Sequence, residues 1–188
     1  MMNKTIELIR SDYHRYTGGG DKHSFLRIAL TALIGRYNGF TYTFWMRLAA
    51  RRDFLYPLYM FIVWRLQKHY HIQINPKADI GYGFYIGHGV GLVVNYLAKI
   101  GNNVNMSQFS TVGSNTGKAA TIGNNVYVGP SVCIVGEINI GDNSSIGAGA
   151  VVTKDVPENA TVAGVPAKIL HYNNPGQFIH NKWRPKDE

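Results

Sequence analysis

The chain has 188 residues, enough for one ordinary domain or for a short helical segment followed by a compact repeat array, which argues against two full-sized domains. Lysine and arginine outnumber aspartate and glutamate by 19 to 11, and the net charge of +8 favours anionic partners: phosphorylated cofactors, acidic glycans, nucleic acid or a membrane surface. The single cysteine, Cys133, excludes an intramolecular disulfide, and the opening residues show no secretory pattern, so a reducing cytoplasm is the expected compartment.

In chain order, the first signal is helical. Ile6, Ile9, Tyr13 and Tyr16 recur at spacings of three and four, and "TGGG" at 17–20 stops the segment. Ser24 is placed to cap a second helix, "FLRIALTALI", closed by Gly35, and a third is expected over Phe44–Arg52. Asp53 can cap a fourth in which Pro57 falls in the first turn, where its missing N–H costs little. This fourth segment holds the longest apolar run, "FLYPLYMFIVW" at 54–64, too short to cross a bilayer, which takes about 20 residues. Burial against the protein or another subunit is expected for it; aromatics beside arginines leave an interfacial membrane helix as the alternative.

From Ile74 the period changes to six. Apolar residues stand at 74, 80, 86 and 92, at 100, 106 and 112, and at 122, 128, 134, 140, 146 and 152, often followed by glycine. Four places after each comes a small or branched residue such as Ala78, Val90, Val104, Ser110 or Val126. Short strands turned sharply by small residues would wind into a triangular solenoid, positions one and five facing inward and neighbouring coils pairing as parallel strands about 4.8 Å apart. A sandwich of hairpins would instead alternate with period two. The expected organisation is a helical region over 1–72, a mainly β solenoid over 73–170, and a tail over 171–188.

Two breaks interrupt the register: eight residues from Leu92 to Ile100, placing two extra around "NYLA", and ten from Val112 to Ile122, placing four extra around "SNTGKAAT". Such insertions bulge out as loops on a binding face. His88, in "YIGHGVGLVVN", is third in the hexad from Ile86 and so points outward, which removes the explanation of a satisfied core histidine.

Residues 74–170 resemble the hexapeptide-repeat acyltransferases with a left-handed parallel β-helix, most closely the serine acetyltransferase branch and its relatives in surface-polysaccharide O-acetylation. The resemblance rests on "IGHGVGLVV" at 86–94, "QFSTVGSNTGK" at 108–118, "IGDNSSIGAGAVVTKDVP" at 140–157 and "AGVPAKIL" at 163–170. The left hand comes from this resemblance alone, since the general rule for parallel connections favours the opposite hand. It implies that His88 is the general base, taking a proton from an acceptor hydroxyl that attacks the thioester of acetyl-CoA. Gly113 and Ser114, with Asn95 and Gln108, are the implied oxyanion and acceptor-site candidates. Gly129, Pro130, Ala148 and Thr153 would lie along the pantetheine arm, and Lys154, Lys168 and His171 would neutralise its phosphates. No metal is implied. The implied assembly is a homotrimer with clefts between subunits, and no nucleic acid partner is expected.

The departures bear on the acceptor. Serine acetyltransferases carry an aspartate where this chain has Gly87, a second histidine where it reads "KAATI" before Ile122, and a Gly-Glu pair where it has Asn95-Tyr96. The expected acceptor is therefore a hydroxyl of a sugar or saccharide intermediate, with serine as the alternative, and the helices would pack on the solenoid or bring the enzyme to the inner face of a membrane. Two other classes stay open: a zinc enzyme of the carbonic anhydrase kind, which needs three histidines where the repeat offers only His88, and a noncatalytic scaffold.

Overall fold

The computed structural model describes residues 2–115 and 117–185. Helix α1 (Met2–Thr17) ends at the glycine run, and α2 (Phe25–Leu33) is capped by Ser24, whose hydroxyl accepts the Arg27 N–H at 3.3 Å. Helix α3 (Asn38–Ala49) begins six residues before the expected Phe44. Asn and Gly are poor helix formers, but Gly39 sits against Ile86 where no Cβ would fit, and that tertiary contact overrides propensity. In α4 (Tyr56–Tyr70), Pro57 occupies the first turn, and Asp53 accepts the Leu55 N–H at 3.0 Å. One face of the run at 54–64 packs against the rest of the chain. Tyr59 and Val63 are buried, while Phe54, Leu58, Phe61 and Trp64 are exposed.

The remainder winds as a parallel solenoid of about four coils. The first coil holds β1 (Gln73–Ile74), β2 (Asp79–Ile80) and β3 (Tyr85–Ile86); the second, β4 (Val93–Val94), β5 (Lys99–Ile100) and β6 (Asn105–Met106). The third holds β7 (Thr111–Gly113), β8 (Thr121–Ile122) and β9 (Tyr127–Val128), and the fourth β10 (Cys133–Val135), β11 (Asn139–Ile140) and β12 (Ser145–Ile146). After these come β13 (Val151–Val152), β14 (Thr161–Gly164) and the antiparallel β15 (Ala167–His171). The strands stack into three sheets: A, β1-β4-β7-β10-β13; B, β2-β5-β8-β11; and C, β3-β6-β9-β12-β14-β15. Their inward residues form three buried columns, among them Ile74, Val94, Val112, Ile134 and Val152 in sheet A. At ~1.5–3 kcal/mol for each aliphatic side chain buried, these columns are the main source of stability.

The register differs from the expected one at a single place. Val94, not Leu92, pairs with Ile74 and Val112, so the two extra residues fall between β3 and β4, not at "NYLA". Leu92 is buried at the inward position assigned to Val90, which is only half-buried. The four-residue insertion lies after β7 as expected, with Thr116 outside the described residues.

Between sheets B and C the corners repeat an asparagine. Asn103, Asn125, Asn143 and Asn159 all have φ between 55° and 64°, a left-handed conformation that Asn tolerates better than most residues. Asn125 donates to Asn143 and Asn143 to Asn159, at 3.1 and 3.2 Å. The tail joins the same corner, with the Trp183 N–H donating to Asn103 Oδ1 at 2.7 Å. His14 packs edge-on against Trp183 at 5.4 Å between ring centroids, and its Nδ1 accepts the Gly20 N–H at 3.3 Å. Burial lowers the pKa of His14 from its ordinary 6.5, with Arg15 and Lys22 acting in the same direction and Asp21 against them. The unfolded chain therefore binds this proton first; the contribution of neutral His14 is complete above 6.5 and is lost as pH falls below it. Thermal melts of the wild type and His14→Gln should diverge above pH 6.5 and converge below it.

The helices cap the open end of the solenoid. The first coil has no preceding coil to pair with, and side chains satisfy its backbone instead. At β1, Tyr42 Oη donates to the Ile74 carbonyl (2.8 Å) and accepts the Ile74 N–H (3.2 Å); at β3, Tyr16 Oη does the same for Ile86 (3.0 and 3.1 Å). At β2, Arg47 donates to the carbonyls of Ile80 and Gly81, both at 2.7 Å. Asp12 holds that guanidinium through bonds of 3.0 and 3.2 Å and accepts the Phe84 N–H at 2.8 Å. Burial pushes the Asp12 carboxyl up, while Arg47 and the Phe84 N–H pull it down. Arg15 donates to the carbonyls of Gly83 and His180 and to Asn105 Oδ1; burial lowers its pKa to about 10, leaving it charged at neutral pH.

Candidate active site

His88 lies in the turn from β3 to β4, and the two extra residues are in that turn. It is exposed, as the register required, and its imidazole makes no hydrogen bond among the described residues. The turn is tightly wound, with His88, Gly89 and Gly91 at φ of 61°, 58° and 66°. A Cβ at Gly89 would lie 2.5 Å from the Gly39 nitrogen, and one at Gly91 would strike the Phe109 ring. The turn is thus wedged between the N-terminus of α3 and the next coil, which fixes its path. Gly87 differs: its backbone is not left-handed, and a Cβ there would meet only ordinary contacts at 3.6–3.8 Å from Tyr85, Met106 and Ser107.

The pairing Ile86–Met106–Val128–Ile146–Val162 leads into the corner that His88 stands beside. Two residues beyond the last four stand Gln108, Pro130, Ala148 and Gly164, a column along the corner between sheets C and A. In the first coil Val90 takes this place, its carbonyl accepting the Phe109 N–H at 3.3 Å, and His88 is one of the two extra residues just before it. At about 4.8 Å per coil, His88 and Ala148 are three coils apart, ~14 Å along the solenoid. Gly129 flanks this column where coils approach closely, since a Cβ there would lie 2.7 Å from the Ile146 carbonyl oxygen. Lys168 pairs with Ala163 on β14, which places it at the far end of the column. His171 lies at the other end of β15, beside Thr161, where its Nδ1 accepts the Asn173 N–H at 3.2 Å.

The remaining predicted residues lie on a different edge. Asn95, Gly113 and Thr153 each follow the inward residue of a sheet A strand, and Ser114 and Lys154 come next, all on the corner between sheets A and B. Sheet A separates them from His88 within one chain. The four-residue insertion is on that edge too, so only the shorter break is local to His88. Asn95 and Tyr96 line a cleft of about 820 Å³ between α4 and the first two coils, together with Trp64, Lys68 and His71.

Two candidates carry buried side-chain oxygens with no hydrogen-bond partner among the described residues: Gln108 Oε1, one coil above His88, and Ser114 Oγ, on the opposite edge. Such atoms are costly unless something binds them. Phe109 was not anticipated. It is exposed and left-handed (φ 61°), packs on Gly91, and stands at the corner position that Gly and Ser fill in other coils. That exchange of a small residue for an aromatic was readable in the sequence. Among the described residues, no three side chains of the metal-ligating types cluster.

Comparison with known proteins follows the same outline. A family model described as bacterial transferase hexapeptide (six repeats) matches residues 119–154. A serine acetyltransferase of Synechococcus elongatus is 40% identical over 105 residues, covering 53% of this chain and 43% of that protein. The chain thus spans less than half the length of that relative. The crystal structure of Neisseria gonorrhoeae serine acetyltransferase in complex with serine superposes with a TM-score of 0.73 at 31% identity, covering 88% of this chain and 69% of that one. That of Brucella abortus serine acetyltransferase in complex with coenzyme A gives 0.70 at 27%, covering 90% and 67%.

Proposed function

The chain belongs to the hexapeptide-repeat acyltransferases, among relatives that are serine acetyltransferases, and from that premise we propose that it transfers an acetyl group from acetyl-CoA to the hydroxyl of a small acceptor, serine foremost. The observation that carries this reading is the corner between sheets C and A, where Gln108, Pro130, Ala148 and Gly164 stack in a column with the outward His88 in the inserted turn at one end and Lys168 at the other. Acetyl-CoA would lie along it. Gly129, Pro130 and Ala148 offer backbone and small surfaces to the pantetheine arm, and Lys168 offers charge to the phosphates.

In the proposed step an imidazole nitrogen of His88 takes the acceptor's hydroxyl proton as the oxygen attacks the thioester carbon. The tetrahedral intermediate collapses by breaking the carbon–sulfur bond, and the imidazolium returns the proton to the departing thiolate. The acetyl ester and free CoA are the products, with no net proton change. Gln108 Oε1, unpartnered and one coil away, is suited to accept from the imidazole or from the acceptor. Asn95, Gly113, Ser114, Thr153 and Lys154 reach His88 only if a neighbouring copy brings its A/B edge to this chain's C/A edge. The site is therefore proposed to be completed in a homotrimer, where Gly113 and Ser114 would offer N–H groups to the oxyanion.

A second reading, acetylation of a sugar hydroxyl, is favoured by one observation. Position 87 has room for an acid and carries none, while Ala119 and Ala120 pack on the core without a polar group. Release of free CoA with serine and with a panel of sugars and nucleotide sugars separates the two. Serine should give the highest kcat/KM, and Gly87→Asp, which the backbone accommodates, should raise it further with little change in stability, within about 0.5 kcal/mol. A sugar turned over faster than serine, with Gly87→Asp lowering that rate, would transfer the assignment to the second reading.

A further inference from the structure

The charge of the chain is not evenly spread. Residues 22–70 hold eight lysines and arginines (Lys22, Arg27, Arg36, Arg47, Arg51, Arg52, Arg65 and Lys68) and one acid, Asp53, so seven of the eight net positive charges lie in about a quarter of the sequence. Arg47 is neutralised by Asp12, and Arg51 by Asp53 at 3.0 Å. Arg27, Arg36, Arg52, Arg65 and Lys68 are exposed and form no ion pair with a carboxylate among the described residues.

The same segment exposes its largest apolar side chains. On α2, Leu26, Leu30, Leu33 and the following Ile34 form one stripe, while Ile28, Thr31 and Ala32 face the core. On α4 and the turn before it, Phe54, Leu58, Phe61 and Trp64 recur at three and four, while Tyr59 and Val63 face inward. These eight side chains are between 48 and 88% exposed, so neither stripe is used by the fold. Near their C-terminal ends the two helices approach through one side chain, a Cβ at Gly35 lying 3.9 Å from Tyr70 Oη. Lys68 lies over the Trp64 ring at 5.3 Å, an aliphatic stem along an aromatic with its ammonium carried outward.

We propose that α2 and α4 are a docking surface for the anionic face of a lipid bilayer. No helix among the described residues is long and apolar enough to cross a membrane, and at ~1.5 Å per residue α4 extends only about 22 Å, so the helices would lie in the plane of the interface. Phe54, Phe61 and Trp64 enter the boundary between headgroups and acyl chains, and Arg27, Arg36, Arg52, Arg65 and Lys68 meet the phosphates. Charge selects this occupant over a second copy of the chain: self-docking would bring two strongly basic faces together, whereas an anionic bilayer satisfies both the apolar and the cationic groups. None of the residues proposed for catalysis or cofactor binding is on α2 or α4, so the inference stands whichever acceptor the enzyme uses.

Flotation of the full chain with vesicles of phosphatidylcholine alone or mixed with phosphatidylglycerol tests it. Binding should require the anionic lipid, weaken in high salt, and drop about fivefold for each of Arg52→Gln, Arg65→Gln and Lys68→Gln. The double variant Phe54→Ser/Phe61→Ser should lose vesicle binding while keeping the wild-type melting temperature and CoA-releasing activity, since both positions are exposed and neither lines the cleft beside Asn95. Absence of binding to the anionic vesicles, or binding unchanged in these variants, overturns the proposal. A particle mass that falls by half in the double variant, without lipid, would show that the face is covered by another copy instead.

Discussion

Replacing His88 with alanine is expected to lower kcat by about 10²–10⁴-fold, the usual worth of a general base, with little change in KM for acetyl-CoA. The residues proposed to hold the cofactor begin two coils further along the solenoid, so its binding should survive. Because His88 is left-handed (φ 61°), alanine also strains the turn. His88→Asn is therefore the cleaner variant: asparagine tolerates that conformation and supplies no base, and it should be as inactive as alanine. Steady-state CoA release from both variants decides the matter. Activity retained in the asparagine variant but lost in the alanine one would assign the effect to the turn, and activity retained in both would remove His88 from the chemistry.

Asp12→Ala is expected to be the most destabilising single change in the helical half, costing about 3–5 kcal/mol. It leaves the Arg47 guanidinium buried beside Ile80 and Gly81 without its counter-charge, and the Phe84 N–H without an acceptor. For a chain of this size the melting temperature should fall by roughly 10 °C. Asp12→Asn keeps an oxygen for Phe84 and should lose less, which keeps the comparison informative if the alanine variant does not fold. A loss below about 1 kcal/mol for Asp12→Ala would show that the first coil does not depend on this cap.

How much of this was legible follows from where the constraints act. Hexads could be read because each inward position needs an aliphatic or small residue whatever surrounds it. Their phase is ambiguous at Leu92, because Leu92 and Val94 both face inward and two aliphatics two apart do not say which leads a strand. The start of α3 was hidden because Asn38 and Gly39 read as a turn until Ile86 is placed against them. Nor could the hydroxyl caps at Tyr16 and Tyr42 be inferred, since their partners are backbone groups 70 and 32 residues away.

At the site, the outward direction of His88 followed from the register alone. Its separation from Gly113 and Ser114 did not. Those residues are near His88 in sequence, but the corner each occupies depends on how many strands intervene, and sheet A places them on different edges. The exposure of Phe61 and Trp64 was hidden for another reason: a run apolar on both faces gives no sign of which face the core takes.

The capped end has a consequence for how such a protein can change. Because Tyr42, Arg47 and Tyr16 occupy the pairing edge of the first coil, a coil cannot be added there without dismantling the helices; growth is open only on the side away from them. The proposed base, His88, is thus anchored at the fixed end of a ruler graduated in coils. Inserting one coil between His88 and the β14–β15 hairpin would move Lys168 about 4.8 Å further off and leave His88 where it stands, so the span between the proposed base and the proposed phosphate-binding lysine is set by coil count.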